Sequence, residues 1–366
     1  MIYYLVLLFL FFFSLAFKDK SVFRSPSYKY SMIIVLLVMV LFGGFRFNVG
    51  ADWEPYLIDY NSIYSWDDVL NSRLEKLFCI SILFSNKVKF SYLVFVPVFF
   101  FFSFFFKYRI FKSLSPNFFL SVLIYFYTVF LIYDINGIRQ GMSLALTLYS
   151  IKYIESRRVW IFLLFCLLAI GFHYSAFFFV PAYWLYSFKF DITKIKAIIT
   201  IIVVIIVAIP IRIVVQEYTS SYLEAEQMLS HYSAYMDSDY NVGSSIITAG
   251  TIQRIAIFLI YVFSLGVSKK RNSIFELFLS KAYLLGIIIF VFFSFSMEYA
   301  ARLSFCYKIM ETLMIPIAIQ KVSKQAKVII LSVVLFFAVF SIYQSLHLPN
   351  QGYLLPYHNQ IINFLF

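Results

Sequence analysis

Long apolar stretches recur along the whole chain, and the short segments between them hold most of the charged residues. A helix needs about 20 mostly apolar residues to cross a bilayer, and its backbone groups must be hydrogen-bonded within the membrane-spanning structure. Twelve stretches fit a crossing, with boundaries near residues 2–17, 30–47, 90–106, 117–133, 138–154, 159–175, 176–188, 197–214, 252–268, 277–296, 302–320 and 328–345. The pattern therefore predicts an all-α integral membrane protein, a polytopic helical bundle of about 12 transmembrane helices.

Two parts of the pattern do not reduce to simple crossings. The stretches 159–175 and 176–188 are short and abut, so they form either two helices or one bent or re-entrant element. The apolar run at residues 76–86 is too short to span a bilayer and predicts an interfacial or re-entrant helix. Because the chain shows no soluble segment or clean repeat, we expect residues 1–366 to form a single polytopic membrane domain.

Composition agrees with this class. Hydrophobic residues make up 62% of the chain and charged residues 13%, whereas soluble domains carry about 25% charged residues. The three cysteines, Cys79, Cys166 and Cys306, are far apart, and the four histidines lack the spacing of metal ligands. We therefore expect no disulfide framework, no metal site and no cofactor.

The net charge of +12 is distributed unevenly. Alternate connections hold 20 of the 30 Lys and Arg residues but only 4 of the 18 acidic residues; they are 18–29, 107–112, 152–158, 189–196, 269–281 and 321–327. The positive-inside rule makes this set cytoplasmic. Both termini and the long loops 48–89 and 215–251 are then external. Membrane topology accounts for the net positive charge, so this charge does not indicate a nucleic-acid partner and we expect none.

Polar residues collect where the predicted helices reach the external side. A charged side chain at the end of a transmembrane helix costs far less free energy than one at the bilayer centre. Such a side chain can therefore stay ionised and bind a ligand. The second stretch leads into the segment Arg46-Phe-Asn-Val-Gly-Ala-Asp52-Trp53. The other predicted helix ends on the external side hold Asp134, Asn136, Arg139, Gln140, His173, Ser175, Glu298 and Arg302. Arginine grips phosphate oxygens through a planar fork of donors. Three arginines at these mouths suit a diphosphate at the membrane surface.

Simpler interpretations exist for several of these residues. An arginine at a helix end often anchors the helix by contacting lipid phosphate, and a single histidine is often a structural hydrogen-bonding residue. Lys308 and Glu311 fall deeper on one helical face, where they form either a neutralising pair or the wall of a polar cavity. Spacing alone leaves these alternatives open.

Four segments resemble the EpsG-like branch of the Wzy-type polysaccharide polymerases. They are Phe45–Tyr56 (FRFNVGADWEPY), Asn136–Ala145 (NGIRQGMSLA), Phe172–Ala176 (FHYSA) and, more loosely, Arg302–Tyr307 (RLSFCY). The segments follow the family's order and span nearly the whole chain. The resemblance implies a glycosyltransferase that joins undecaprenyl-diphosphate-linked oligosaccharide repeat units into O-antigen or a related surface glycan.

The resemblance also implies a location, partners and residue roles. The enzyme would be a multi-pass protein of the bacterial cytoplasmic (inner) membrane with its active site facing the periplasm. Its partners would be lipid-linked repeat units, the bilayer, and a chain-length regulator and flippase of the same pathway. Arg46, Arg139 and Arg302 would bind diphosphate, and either Asp52 or His173 would accept the proton of the acceptor hydroxyl. The sugar-positioning residues would be Tyr56, Asn136 and Gln140.

Other classes of membrane protein remain as alternatives. A flippase that moves lipid-linked oligosaccharides should show polar residues at many depths, whereas here they gather at one face. An O-antigen ligase would use a similar donor. A membrane acyltransferase would use a histidine but has no need of three external arginines. The polymerase explains the most residues.

The charge pattern predicts that loop 48–89 is external and the connection 269–281 cytoplasmic. Reporter fusions at Asn71 and Lys270 should therefore give an external and a cytoplasmic signal, respectively. The opposite signal at either position would overturn the external placement of the mouth.

Overall fold

The computed structural model describes residues 1–17, 25–188, 194–225, 248–267, 272–347 and 352–361. All regular structure in these ranges is helical, apart from an isolated bridge between Arg46 and Asn359. The predicted all-α class is therefore confirmed for this part of the chain. Most of the predicted external loop 215–251 lies outside the described residues.

In chain order the described α-helices are α1 (Ile2–Ala16), α2 (Pro26–Gly44), α3 (Trp53–Tyr60), α4 (Trp66–Asn71), α5 (Lys76–Lys87), α6 (Tyr92–Leu114), α7 (Phe118–Tyr125), α8 (Ile138–Glu155), α9 (Val159–Phe172), α10 (Ala182–Leu185), α11 (Lys194–Ala225), α12 (Ala249–Val267), α13 (Ile274–Phe292), α14 (Met297–Lys308), α15 (Glu311–Lys321) and α16 (Lys324–His347). Helix α7 continues as a π-helix over Phe126–Asp134, and 3₁₀-helices span Tyr174–Phe179 and Gly352–Leu354. Helix α5 matches the short helix predicted at 76–86.

Six of the described helices are long and apolar enough to cross a membrane, namely α2, α6, the Lys194–Ile211 part of α11, α12, α13 and α16. Three shorter apolar helices are α1, α7 with its π-helical continuation, and α9. The helical membrane class thus agrees with the structure, whereas the count of twelve crossings does not emerge from the described helices.

Three predicted crossings differ in the structure for identifiable reasons. Residues 176–188 fold as a 3₁₀-helix and the four-residue α10, so no single long helix forms there. The stretch 302–320 is interrupted at Ile309 and Met310, between α14 and α15. The stretch 138–154 does form one helix, α8, but this helix carries too many polar residues to count as a lipid-facing span.

Helix α8 can be polar because it is buried in protein. It packs between α6 and α9, and nearly all of its residues are shielded from solvent. The hydroxyls of Thr147 and Ser150 donate to carbonyls of the same helix, at 3.0 and 2.7 Å. Buried polar groups that are hydrogen-bonded in this way carry little penalty.

A buried ion pair fixes the end of the π-helix. Lys107 of α6 donates to both carboxylate oxygens of Asp134 at 2.7 Å, and both side chains are almost fully buried. Ser103 and Tyr125 also donate to Asp134, at 2.8 and 2.7 Å. Asp134 was predicted to lie at an external helix end. Both of its carboxylate oxygens instead accept hydrogen bonds inside the bundle.

The described ends of the chain meet at one end of the bundle. The Tyr3 hydroxyl, at the start of α1, donates to the Leu354 carbonyl at 2.8 Å. The Gly50 amide donates to the Tyr353 carbonyl, also at 2.8 Å. The start of α1 and the segment 352–361 thus lie at the same end as the loop that leads to Asp52.

The Lys107–Asp134 pair predicts a large single-site effect. Lys107→Met should destabilise the protein by about 3 to 5 kcal/mol, because it leaves Asp134 as a buried charge without its partner. The double variant Lys107→Met/Asp134→Leu should recover most of that loss. Thermal unfolding in detergent would measure both, with Lys112→Met, at an exposed position of α6, as the control. A Lys107→Met variant as stable as the parent would contradict this role.

Candidate functional site at one mouth of the bundle

Asp52 stands immediately before α3, at the position whose side chain usually caps a helix. Its carboxylate nevertheless makes no capping hydrogen bond. The residue is half-buried and interacts electrostatically with Arg302 and Arg139. Burial raises the pKa of Asp52 above its usual value, although the two arginines act in the opposite direction. The carboxylate of Asp52 therefore lies at the mouth without serving as a helix cap.

Arg46 holds the loop before Asp52 in place. The side chain is only 1% exposed. Its guanidinium donates to the carbonyls of Gly43 at 2.6 Å, Val49 at 3.2 Å and Ile135 at 3.0 Å. Arg46 thereby joins the end of α2 to the loop and to the turn before α8. These contacts are structural, and they place the guanidinium inside protein.

Gly50 and Asn136 belong to the same joint, by which we mean the contacts that connect the end of α2, the loop before Asp52 and the turn before α8. Gly50 has a φ of +109°, and a Cβ there would lie 2.6 Å from the Ile135 carbonyl oxygen, so only glycine fits. The Asn136 side chain accepts from the Ala51 amide at 2.8 Å and donates to the Leu131 carbonyl at 3.1 Å. Asn136, predicted to position sugars, has its amide group engaged with backbone in the structure.

Arg139 lies in the first turn of α8 and points into the mouth. Its guanidinium forms an ion pair with Glu75, and its Nε donates to the Tyr56 hydroxyl at 3.3 Å. The guanidinium also lies over the rings of Tyr56 and Phe78, 5.6 and 5.9 Å from their centroids. Within the described ranges its Nη2 has no hydrogen-bond partner. The Nη2 group is thus available to a ligand.

Arg302 projects from α14 at the same mouth. It pairs with Glu298 one turn earlier in the helix, and its side chain is 44% exposed. The buried Gln140 donates its Nε2 to the Arg302 carbonyl at 3.1 Å. Gln140, predicted to contact sugars, therefore links α8 to α14 and fixes the backbone of Arg302.

His173 directly follows the last residue of α9. Its Nδ1 accepts a hydrogen bond from the Ser175 amide at 3.3 Å and lies 2.8 Å from the Ser175 hydroxyl. Since an amide can only donate, the neutral imidazole carries its proton on Nε2. Burial, together with Arg302 and Arg139, lowers the pKa of His173 to about 3. His173 is neutral at physiological pH and offers Nε2 as a donor.

The structure brings four of the predicted site residues together from four segments of the chain. Both Asp52 and His173 interact electrostatically with Arg139 and Arg302. Tyr56 joins this group through its hydrogen bond to Arg139. Arg46 does not join it, because three carbonyl groups engage its guanidinium. We call Asp52, Arg139, His173 and Arg302 the mouth cluster.

Glu75 is the residue that sequence reasoning missed. It is 5% exposed, pairs with Arg139 and accepts from the Tyr174 amide at 3.4 Å. The available signal was its place immediately before the short apolar helix α5, in the loop 48–89 that the charge pattern predicts to be external. An acid at that position can reach the mouth only if α5 folds back against the bundle, and α5 does pack on α9.

Lys308 and Glu311 do not form a contact ion pair, although they interact electrostatically. Lys308 donates to Gln253 at 3.3 Å, and Glu311 accepts from the Tyr283 hydroxyl at 2.5 Å. The interruption between α14 and α15 separates the two residues. Each therefore has its own partner, so the neutralising-pair interpretation does not describe their contacts.

Comparison with known proteins agrees with the motif segments. The EpsG family model matches residues 29–359, a range that includes the whole mouth cluster. The family resemblance drawn from the sequence is thereby confirmed. No curated protein and no solved structure matches the chain. Among the described residues, no three His, Cys, Asp or Glu side chains gather as a metal site.

Proposed function

Because this chain belongs to the EpsG family, we propose that it is a polysaccharide polymerase that joins polyprenyl-diphosphate-linked repeat units at the external face of the cytoplasmic membrane. Family membership indicates a membrane glycan polymerase-like function. The mouth cluster supports the finer assignment to a lipid diphosphate donor, and the charge pattern supports the external face.

One observation carries the proposal, namely that Arg139 and Arg302 both interact electrostatically with the carboxylate of Asp52, which makes no capping hydrogen bond to α3. Arg302 is partly exposed, and Arg139 keeps Nη2 free of partners in the described part of the chain. Both can therefore face the oxygens of a diphosphate. Asp52 interacts electrostatically with both arginines, so its carboxylate would lie on the same side of the mouth as a diphosphate bound by them.

The reaction needs charge stabilisation and proton removal. The hydroxyl oxygen of the acceptor sugar attacks the anomeric carbon of the donor, and the bond from that carbon to the diphosphate oxygen breaks. The hydroxyl proton passes to a base while the diphosphate leaves with the bonding electron pair. Arg139 and Arg302 would stabilise the charge that develops on this leaving group. The step requires no nucleotide.

We assign the base to Asp52 and a positioning role to His173. The Nδ1 of His173 is occupied by Ser175, and its Nε2 carries the proton, so the neutral ring has no open acceptor. Its Nε2–H can instead donate to a sugar or phosphate oxygen. Asp52 has a raised pKa and a carboxylate that makes no capping hydrogen bond, which suit a general base.

Buried charges below the mouth are the feature that would favour a transporter. Arg254 and Lys308 lie inside the bundle, as residues along a transport path would. A transporter would move lipid-linked units without lengthening them. The experiments below distinguish the two, because they measure glycan length directly.

The first test uses purified protein and synthetic polyprenyl-diphosphate-linked repeat units. The parent should produce a ladder of longer lipid-linked glycans, and Asp52→Asn should abolish it, because the amide keeps the size of the side chain and removes its basicity. The rate should fall with decreasing pH as Asp52 is protonated, with a midpoint above the ordinary Asp value of about 3.9. His173→Gln should lower the rate and leave that midpoint in place. Full elongation by Asp52→Asn would exclude the base role, and absence of any ladder from the parent would exclude polymerisation.

The second test concerns the guanidinium fork. Arg139→Lys keeps a positive charge but loses the planar guanidinium and the two N–H donors of its free Nη2. Elongation should therefore fall by about 10-fold to 100-fold, the loss of one or two charge-assisted hydrogen bonds. The matched control is Arg109→Lys, at an exposed position near the end of α6, which should elongate normally. Protein level and monodispersity are measured for both. If well-folded Arg139→Lys elongates at the parent rate, Arg139 is a helix anchor only.

A further inference from the structure

Helix α3 has two faces with different surroundings. Tyr56 accepts a hydrogen bond from Arg139, and Asp52 and Asp59 interact electrostatically with the same arginine. At 100° per residue, Trp53 and Leu57 lie on another face of the helix. That face borders a cavity instead of the mouth cluster. The short helix thus separates the charged cluster from a second space.

This cavity has a volume of about 430 Å³. Aromatic side chains form part of its lining: the ring centroids of Trp53 and Tyr92 lie 5.0 Å apart in an edge-to-face arrangement, and the ring of Phe47 lies 6.1 Å from that of Trp53. The Tyr92 hydroxyl donates to the Trp53 carbonyl at 3.3 Å and interacts electrostatically with Asp52. The cavity therefore adjoins the proposed base across the first turn of α3.

Two polar side chains stand at the rim of the cavity. Asn48 and Glu54 are both exposed, and Asn48 adopts a left-handed conformation with a φ of +51°. An amide and a carboxylate can together bind hydroxyl groups as donor and acceptors. Among the residues that the structure describes, no cationic side chain lines the cavity. An anionic group would be repelled by Glu54, so the diphosphate does not belong here.

We propose that this cavity binds an uncharged sugar residue of the lipid-linked glycan, next to the reacting hydroxyl. The apolar C–H faces of a sugar ring can pack on aromatic side chains, while its hydroxyls meet the polar groups at the rim. Pockets with mostly apolar walls and a few polar groups are typical binding sites for such ligands. A polyprenyl tail would have no use for the amide and the carboxylate. The proposal rests on the proposed function and names the sugar subsite within it.

The test measures binding and elongation separately. The full-length protein is purified in detergent, and two fluorescent probes are titrated, each followed by anisotropy. One probe is the free repeat-unit oligosaccharide, released by mild acid from the lipid-linked units and labelled at its reducing end. The other is labelled farnesyl diphosphate, which carries the prenyl and diphosphate chemistry without a sugar.

Leu57→Trp fills the cavity and should weaken oligosaccharide binding by about tenfold or more, as expected when bulk is forced into occupied space. Glu54→Gln, at the exposed rim, should fold normally and weaken oligosaccharide binding by about threefold to tenfold, because the amide oxygen still accepts a hydrogen bond but no longer carries a charge. The matched control Ile58→Trp lies on the same helix at a position that is 63% exposed, and it should bind as the parent does. Farnesyl diphosphate binding should remain unchanged in all three.

Equal oligosaccharide binding by Leu57→Trp and the parent would overturn the sugar subsite, as would a parent that does not bind the oligosaccharide. Loss of farnesyl diphosphate binding in Leu57→Trp, with the oligosaccharide still bound, would assign the cavity to the prenyl chain and also overturn the proposal. Elongation by the parent is scored independently. If the parent elongates glycans and the cavity variants bind the oligosaccharide as the parent does, only the sugar subsite is refuted. If the parent binds the oligosaccharide through the cavity but does not elongate glycans, the polymerase function is refuted.

Discussion

The rest of the mouth depends on the buried guanidinium of Arg46. A buried charge is tolerated only when hydrogen bonds replace its hydration, and three carbonyl oxygens do so here. One of them, from Gly43, belongs to the last turn of α2, where carbonyls lack helical partners and the helix dipole favours a cation. Arg46 therefore ends α2 and fixes the loop that follows, so that Asp52 emerges at a defined place.

Around this joint, backbone contacts come from distant parts of the sequence. Asn136 binds the Ala51 amide, and the segment 352–361 pairs with the loop through Tyr353 and through the bridge at Asn359. A loop that is held from two sides can present a carboxylate without using it as a helix cap. The position of Asp52 is thus set by its neighbours, and its own side chain remains available for chemistry.

The acids at the mouth orient the arginines. Glu75 holds Arg139, and Glu298 holds Arg302, yet both guanidinium groups retain donors for a ligand. The Arg302–Glu298 pair is solvent-exposed and contributes little to stability. Its value lies in orientation, because a prearranged donor need not reorganise when charge develops on a leaving group. Helix α3 then divides this charged region from the aromatic cavity, which suits a substrate with an ionic and a neutral part.

The sequence by itself determined the membrane class, the helical architecture and the family. These follow from apolar length, from charge placement and from motif segments that are each local in the chain. It also identified Asp52, Arg139, His173 and Arg302 as candidates, because polar residues at helix ends can be read from hydropathy alone. The same argument selected Arg46, Asn136 and Gln140, since a polar side chain that binds backbone has the same local pattern as one that binds a ligand.

Only the tertiary structure showed which of these side chains bind backbone groups. The partners of Arg46 include the Ile135 carbonyl, 89 residues away, and the partner of Gln140 lies 162 residues away. Contacts over such distances depend on how the helices pack, as do the fold-back of α5 that brings Glu75 to Arg139 and the interruption at Ile309 and Met310. The count of twelve crossings is not confirmed by the described helices, and hydropathy alone cannot fix it, because a helix such as α8 can be buried by protein as well as by lipid. The apolar pattern of one helix indicates that the helix is buried. Whether lipid or protein buries it depends on how the neighbouring helices pack.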